Sequence, residues 1–247
     1  MPSTMLNGFT HHWTDEGQGE PLIMFHGASQ SGVVLAPFAR ELAKTHRVIV
    51  PDLRGMGKSA HVTELPPSAW IDDANALIDH LGLSRLHVFG VSLGARVALR
   101  LAIDRPERVR SLMLDLPIIA MEGATNSALN VSLGSFDNLP AAEQAMREAQ
   151  HGPEWKQVMT NYMTIRNQPA LQEHLNLREL SKRVRVPTLI FRGDEREVVH
   201  PLSHCFELHQ NIADSWLWIR PDTLGSPMKA APEETFAHMS ARMASVA

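Results

Sequence analysis

A single cysteine, Cys205, is all the thiol in this chain of 247 residues, which excludes an intrachain disulfide and makes the reducing cytoplasm the expected location. Long apolar runs are missing: no stretch approaches the roughly eighteen residues of a membrane span. Residues 1–14 lack a basic region followed by an apolar run, so no export signal is expected either. Charge of one sign is also missing. Lys and Arg number 23 against 27 Asp and Glu, with no block of like charges, so nothing favours nucleic acid or an anionic membrane as partner. A small-molecule substrate fits that balance. Repeats and low-complexity linkers are absent, and the length suits one large domain or one core carrying an insertion.

What is present is an alternation. Apolar runs of strand length at 21–25, 47–50, 86–89, 109–114, 186–191 and 215–219 are interleaved with helical patterns at 33–44, 68–81, 93–103, 201–211 and 232–243. The pattern predicts an α/β fold, a mostly parallel, doubly wound sheet covered on both faces, with an edge strand at 9–13. Residues 118–185 break the alternation with helical pattern alone, and Pro140, Pro153 and Pro169 stand where helices would start. The expected organisation is a core of 1–117 and 186–247 with a helical cap, 118–185, inserted after the sixth strand. Such an insertion would lie above the carboxyl ends of the strands, where ligands bind in open parallel sheets. The plainer reading of this segment is a surface helical excursion.

Gly90-Val91-Ser92-Leu93-Gly94 is a G-x-S-x-G pattern between an apolar strand and a good helix former, the order a nucleophile elbow needs. The serine backbone is strained in such a turn, and the two glycines leave space where a Cβ would collide. Three further stretches accompany it: His26-Gly27-Ala28 after a strand run, 51–59 reading P-D-L-R-G-M-G-K-S, and 186–193 reading V-P-T-L-I-F-R-G. With these four motifs the chain resembles the α/β-hydrolase family nearly from end to end. Gly57-Lys58-Ser59 is not a phosphate loop, because Asp52 stands where that motif requires glycine.

The resemblance implies acyl transfer without a cofactor: Ser92 attacks a carbonyl, and the backbone N–H groups of Ala28 and Leu93 form the oxyanion hole. It implies a supporting rather than proton-transferring role for His26. It also exposes a conflict. The family acid follows the seventh strand in a pattern resembling G-x-x-D-x-V-V, and counting from Gly193 puts Arg196 at the aspartate position. The family histidine lies after the last strand in a pattern resembling P-D-x-x-H-S-P-M, and Gly225 takes its place, with no histidine between His209 and His238.

Serine is a poor nucleophile unless an adjacent base takes its proton. Substitutes are therefore sought near the acid loop. His200 and Glu197 would form a shifted arrangement with Ser92 if His200 crossed the space the missing histidine normally fills. The alternative is that 195–197 is a solvated charged loop and His200 a polar residue opening a helix before Pro201. Asp115, ending the sixth strand, is an acid position some family members use. His200, His204, Cys205 and His209 lack the convergence of a metal site, and no metal is expected. Two functions stay open: a serine hydrolase of small carboxylic esters, lactones or related acyl compounds with a non-standard or disabled triad, or a catalytically silent or reassigned hydrolase fold. The latter would be a small-molecule binding protein or lyase, natural or engineered.

Overall fold

The computed structural model describes residues 2–136 and 138–246. Its strands are β1 (Ser3–Leu6), β2 (Phe9–Glu16), β3 (Glu20–Phe25), β4 (His46–Pro51), β5 (Leu86–Val91), β6 (Val109–Asp115), β7 (Thr188–Gly193) and β8 (Ser215–Arg220). They form one sheet in the order β1-β2-β4-β3-β5-β6-β7-β8. The pairs β1/β2 and β2/β4 are antiparallel, and every later pair is parallel. All six predicted runs are strands, and the edge strand extends to Glu16. β1 is an addition. Its four residues alternate between exposed and half-buried, too weak a pattern to announce itself, but Asn7-Gly8 behind it has φ of 51° and 80°, the left-handed pair of a tight hairpin.

The helices are α1 (Ala36–Leu42), α2 (Ala69–His80), α3 (Leu93–Asp104), α4 (Gly123–Gly134), α5 (Ala141–His151), α6 (Trp155–Arg166), α7 (Pro169–His174), α8 (Leu202–Asn211), α9 (Pro227–Ala230) and α10 (Pro232–Ala244). The first predicted helix begins instead as a 3-10 turn, Gly32–Leu35, ahead of α1. Between β6 and β7 the described residues hold helices α4 to α7 and a short 3-10 turn, Leu180–Arg183, but no strand. Pro140 caps α5 and Pro169 opens α7, while α6 starts two residues after Pro153.

Alternation along each strand divides the core in two. Ile23, Phe25, Ile49, Val88, Leu112, Leu114 and Ile190 face one layer with α2, α3 and α8. Leu22, Met24, Val48, Val50, Phe89, Met113, Leu189 and Phe191 face the other with α1 and α10. Burial on both faces explains why these strands read as near-continuous apolar runs. The first layer continues into Tyr162, Ile165 and Leu171 of the inserted helices, so that segment is packed onto the core.

Chain reversal between β5 and α3 depends on two glycines. Ser92 has φ 54° and ψ −110°. A Cβ on Gly90 would lie 2.1 Å from Gly94 O, and one on Gly94 would lie 2.1 Å from Phe25 O, backbone contacts that no rotamer change relieves. Gly90→Ala or Gly94→Ala is therefore expected to destabilise the fold by about 3 kcal/mol or more, read as a lowered urea midpoint. A midpoint within experimental error of wild type would contradict this account of the turn.

Candidate active site

The parallel strands deliver five loops to one end of the sheet. Ser92 follows β5, Gly27 and Ala28 follow β3, Asp115 ends β6, residues 194–201 follow β7, and Gly225 follows β8. Leu93 is the first residue of α3, where an N–H has no carbonyl of the preceding turn to bond. Ala28, Ser92 and Leu93 line one pocket beside the end of β5.

His26 braces the Ala28 loop. The fully buried ring accepts the Leu53 N–H at Nε2 (3.0 Å), so Nδ1 carries the proton and donates it to Gly27 O (2.8 Å). Burial holds its pKa below the ordinary histidine value, so it stays neutral. His151 of α5 docks the inserted segment in the same manner, accepting the Gly57 N–H at Nδ1 (3.0 Å) and donating from Nε2 to Ser29 O (3.2 Å). Burial lowers it to about 4. Thr125 of α4 donates to Val198 O (3.1 Å), so the inserted helices touch both the loop after β3 and the loop after β7.

That latter loop folds back over the strand ends. His200 Nε2 lies 2.9 Å from Ser92 Oγ, and its Nδ1 hydrogen-bonds Glu197 Oε1. For Glu197, burial pushes the carboxyl upward, but the hydrogen bond and charge of His200, with Arg192 beyond, outweigh it and leave the pKa below its ordinary value. An ionised Glu197 accepts the Nδ1 proton, which leaves Nε2 free to accept from the Ser92 hydroxyl. The structure thus brings Ser92, His200 and Glu197 into one hydrogen-bonded chain, and His200 is not the helix-opening residue of the alternative reading: α8 begins at Leu202. Arg196, at the sequence position of the family acid, is exposed, and Gly225 sits at φ 72° with a Cβ there 3.9 Å from Glu197 Oε2.

Arg192 was not foreseen. Only 1% exposed, it donates from Nε to Gly193 O (2.6 Å), from Nη2 to Glu195 O (2.7 Å) and from Nη1 to His200 O, so one guanidinium gathers three carbonyls of the loop. Its signal was available: a cation inside an otherwise apolar strand run is out of place unless its charge is used. The Asp115 carbonyl accepts the Ser92 N–H (3.0 Å), but its side chain is no part of the chain just described. Its buried carboxyl accepts from Ser226 Oγ, while Oδ1 has no partner among the described residues. His204 and Cys205 are buried, His209 bonds Ser215, and no cluster able to hold a metal occurs among the described residues. No helix of the described residues is long and apolar enough to cross a membrane.

Residues 20–152, more than half of the chain, match the family model described as alpha/beta hydrolase fold, and the chain belongs to that family. Among its relatives, 2-hydroxymuconate semialdehyde hydrolase of Pseudomonas sp. (strain CF600) is 39% identical over 105 residues, 40% of this chain but only 37% of that protein. The 2-hydroxy-6-oxo-6-phenylhexa-2,4-dienoate hydrolase of Burkholderia cepacia is 27% identical over 87% of this chain and 85% of its own. A solved N-acyl homoserine lactone degrading enzyme superposes with a TM-score of 0.80 at 22% identity, covering 97% of this chain and 99% of that one. The meta-cleavage product hydrolase of Pseudomonas fluorescens IP01 gives 0.74 at 22% identity, with 98% and 97% covered. At such identities these structures share the fold.

Burial raises the Asp115 pKa to about 7. With the folded value above the unfolded one, the stabilisation belongs to the protonated form; it is complete below about pH 4 and is lost as pH rises through about 7. Asp115→Asn removes that titration. Relative to wild type it should gain stability between about pH 5 and pH 8.5, by at most about 4 kcal/mol, measured as urea midpoints across pH. A difference that stays flat with pH would mean that Asp115 remains ionised throughout.

Proposed function

We propose that the chain is a serine hydrolase of small carboxylic esters, lactones or related acyl compounds, with its base and acid both supplied by the loop after β7. The observation that carries the proposal is the hydrogen-bonded chain from Glu197 through His200 to Ser92. In the proposed reaction Ser92 Oγ attacks the carbonyl carbon as its proton passes to His200 Nε2. The imidazolium that forms is stabilised by the Glu197 carboxylate through Nδ1–H. Charge moves onto the carbonyl oxygen, which the N–H groups of Ala28 and Leu93 receive at the positive end of α3. Collapse of the tetrahedral intermediate expels the leaving oxygen, or carbon in a carbon–carbon hydrolase, with the proton returned from His200. Water, deprotonated by the same ring, then releases the acyl group from Ser92. The inserted helices act as the cap that closes the pocket, and no step requires a cofactor.

The names of the relatives support an acyl or vinylogous ketone substrate as a class, and the family membership supports hydrolysis. The proposed role of Glu197 follows from spacing: three residues before His200 in a bent loop, it reaches the far side of the ring.

A fluorophosphonate probe is expected to label wild type and not Ser92→Ala. With short-chain methyl esters followed by pH-stat, His200→Gln should lower kcat by about 10⁴-fold to 10⁶-fold and Glu197→Gln by about 10⁴-fold. Arg196→Ala should stay within about twofold, because surface changes away from such features are usually mild. Absence of both labelling and turnover in wild type would return the chain to the reading of a silent or reassigned hydrolase fold. Full activity in His200→Gln would place the base elsewhere.

A further inference from the structure

The cavity beside Ser92 contains a feature that carbonyl attack does not use. Two arginines line it, Arg96 one turn along α3 from Ser92 and Arg166 at the end of α6. They are 2% and 3% exposed. Every acceptor they touch is uncharged. Arg96 donates from Nε (3.1 Å) and Nη2 (2.7 Å) to Leu175 O and from Nη2 to Gln172 Oε1 (3.3 Å). Arg166 donates to the side-chain oxygens of Asn126 (3.0 Å), Asn130 and Asn167 (3.3 Å). Among the described residues neither is paired with a carboxylate; Arg96 Nη1 has no protein acceptor, and beyond these amides Arg166 meets the neutral Tyr162 hydroxyl.

A purely structural role does not account for this. Arg96 closes the end of α7 through the Leu175 carbonyl, but a neutral amide would serve that carbonyl, and the Nη1 edge is left over. Burial without a counter-ion disfavours a guanidinium. The site compounds the penalty, since Arg96 stands in the early turns of α3, where the helix dipole is positive. Burial lowers Arg96 only to about 10, so it is cationic at neutral pH. Burial also pushes the neighbouring Tyr162 phenol up to about 12, so that hydroxyl does not neutralise either arginine. Apart from Gln172, the rest of the wall is apolar, with Ile118, Leu129 and Leu171. Two cations, a phenol and a largely apolar wall next to a nucleophile describe a pocket suited to an anion.

We infer that Arg96 and Arg166 form a subsite for a carboxylate carried on the acyl part of the substrate, a short distance from the carbonyl that Ser92 attacks. The planar guanidinium edges match the two oxygens of a carboxylate, and water exclusion by the cap strengthens the pairing. The inference rests on the proposed role of Ser92 for its placement in the reaction, but the binding of an anion stands independently of it.

The test compares two substrates of matched length, monomethyl glutarate and methyl pentanoate. Wild type should favour the anionic ester in kcat/KM by at least about tenfold, and Arg96→Gln and Arg166→Gln should each reduce that ratio by about tenfold or more, through KM. Arg96→Lys and Arg166→Lys should retain part of it. Separately, glutarate should raise the melting temperature of the Ser92→Ala protein and fail to do so once Arg166→Gln is added. Turnover without preference, together with no glutarate effect, would overturn the subsite and leave the hydrolase reading standing. Glutarate binding that depends on Arg166, in a protein that neither hydrolyses esters nor reacts with fluorophosphonate, would uphold the subsite and overturn the hydrolase. Should a glutamine variant fail to fold, the wild-type ratio and the glutarate shift on Ser92→Ala still decide.

Discussion

Arg192 holds the site in its present form by fixing the path of the loop after β7. Its guanidinium lies at the carboxyl end of that strand and draws in the carbonyls of Gly193, Glu195 and His200, so residues up to seven apart in sequence converge on one cation. An exposed loop of this length would satisfy those carbonyls with water and wander. Drawn inward, it turns the His200 ring toward Ser92 and leaves Arg196 outside. The same charge helps keep Glu197 ionised. Position of the ring and ionisation of its partner thus have a common origin.

Gly225 acquires a structural meaning from this arrangement. Its carbonyl accepts the Gly193 N–H at 2.7 Å, tying the loop after β8 to the end of β7. With φ at 72°, the position favours glycine, and the open side faces Glu197. A histidine here would need strained backbone, and its Cβ would stand in van der Waals contact with Glu197. Under the proposed arrangement of Ser92, His200 and Glu197, a glycine at this position is compatible with the space the Glu197 side chain takes. Asp115 also faces the loop after β8, where its carboxyl accepts from Ser226.

Much of the fold was legible because the physics is local or periodic. Strands buried on both faces must be apolar throughout, and the turn at Ser92 admits only glycine at its flanks, so both are written in consecutive residues. The hairpin of β1 was written too, in Asn7-Gly8, but its strand has little apolar surface. Trp216 is the reverse case: large and apolar, it nonetheless lies on the outermost strand and is 40% exposed beneath Arg242. The placement of His200 beside Ser92 was harder to see. Counting along the loop places Arg196 at the acid position, and only the inward pull of Arg192 makes the count irrelevant. Pro201 supplied a weaker clue. The residue before a proline is kept from helical conformation, so His200 is held out of α8 and its side chain is available to turn inward.

Charge is ordered across the pocket in a way that bears on the proposed chemistry. On one side of Ser92 stands Glu197 behind His200; on the other stand Arg96 and Arg166 with the first turn of α3. Passing the serine proton to His200 creates positive charge beside the carboxylate and negative charge beside the cations. Each new charge therefore forms next to an existing charge of opposite sign, fixed in place before the reaction; Arg96 and Arg166 are buried and poorly screened, Glu197 and His200 only partly so. The field stabilises charge separation while leaving a neutral ground state little affected. Reversing either end, with a cation near His200 or a carboxylate in place of Arg96, would oppose the same proton transfer even if every hydrogen bond around Ser92 were retained.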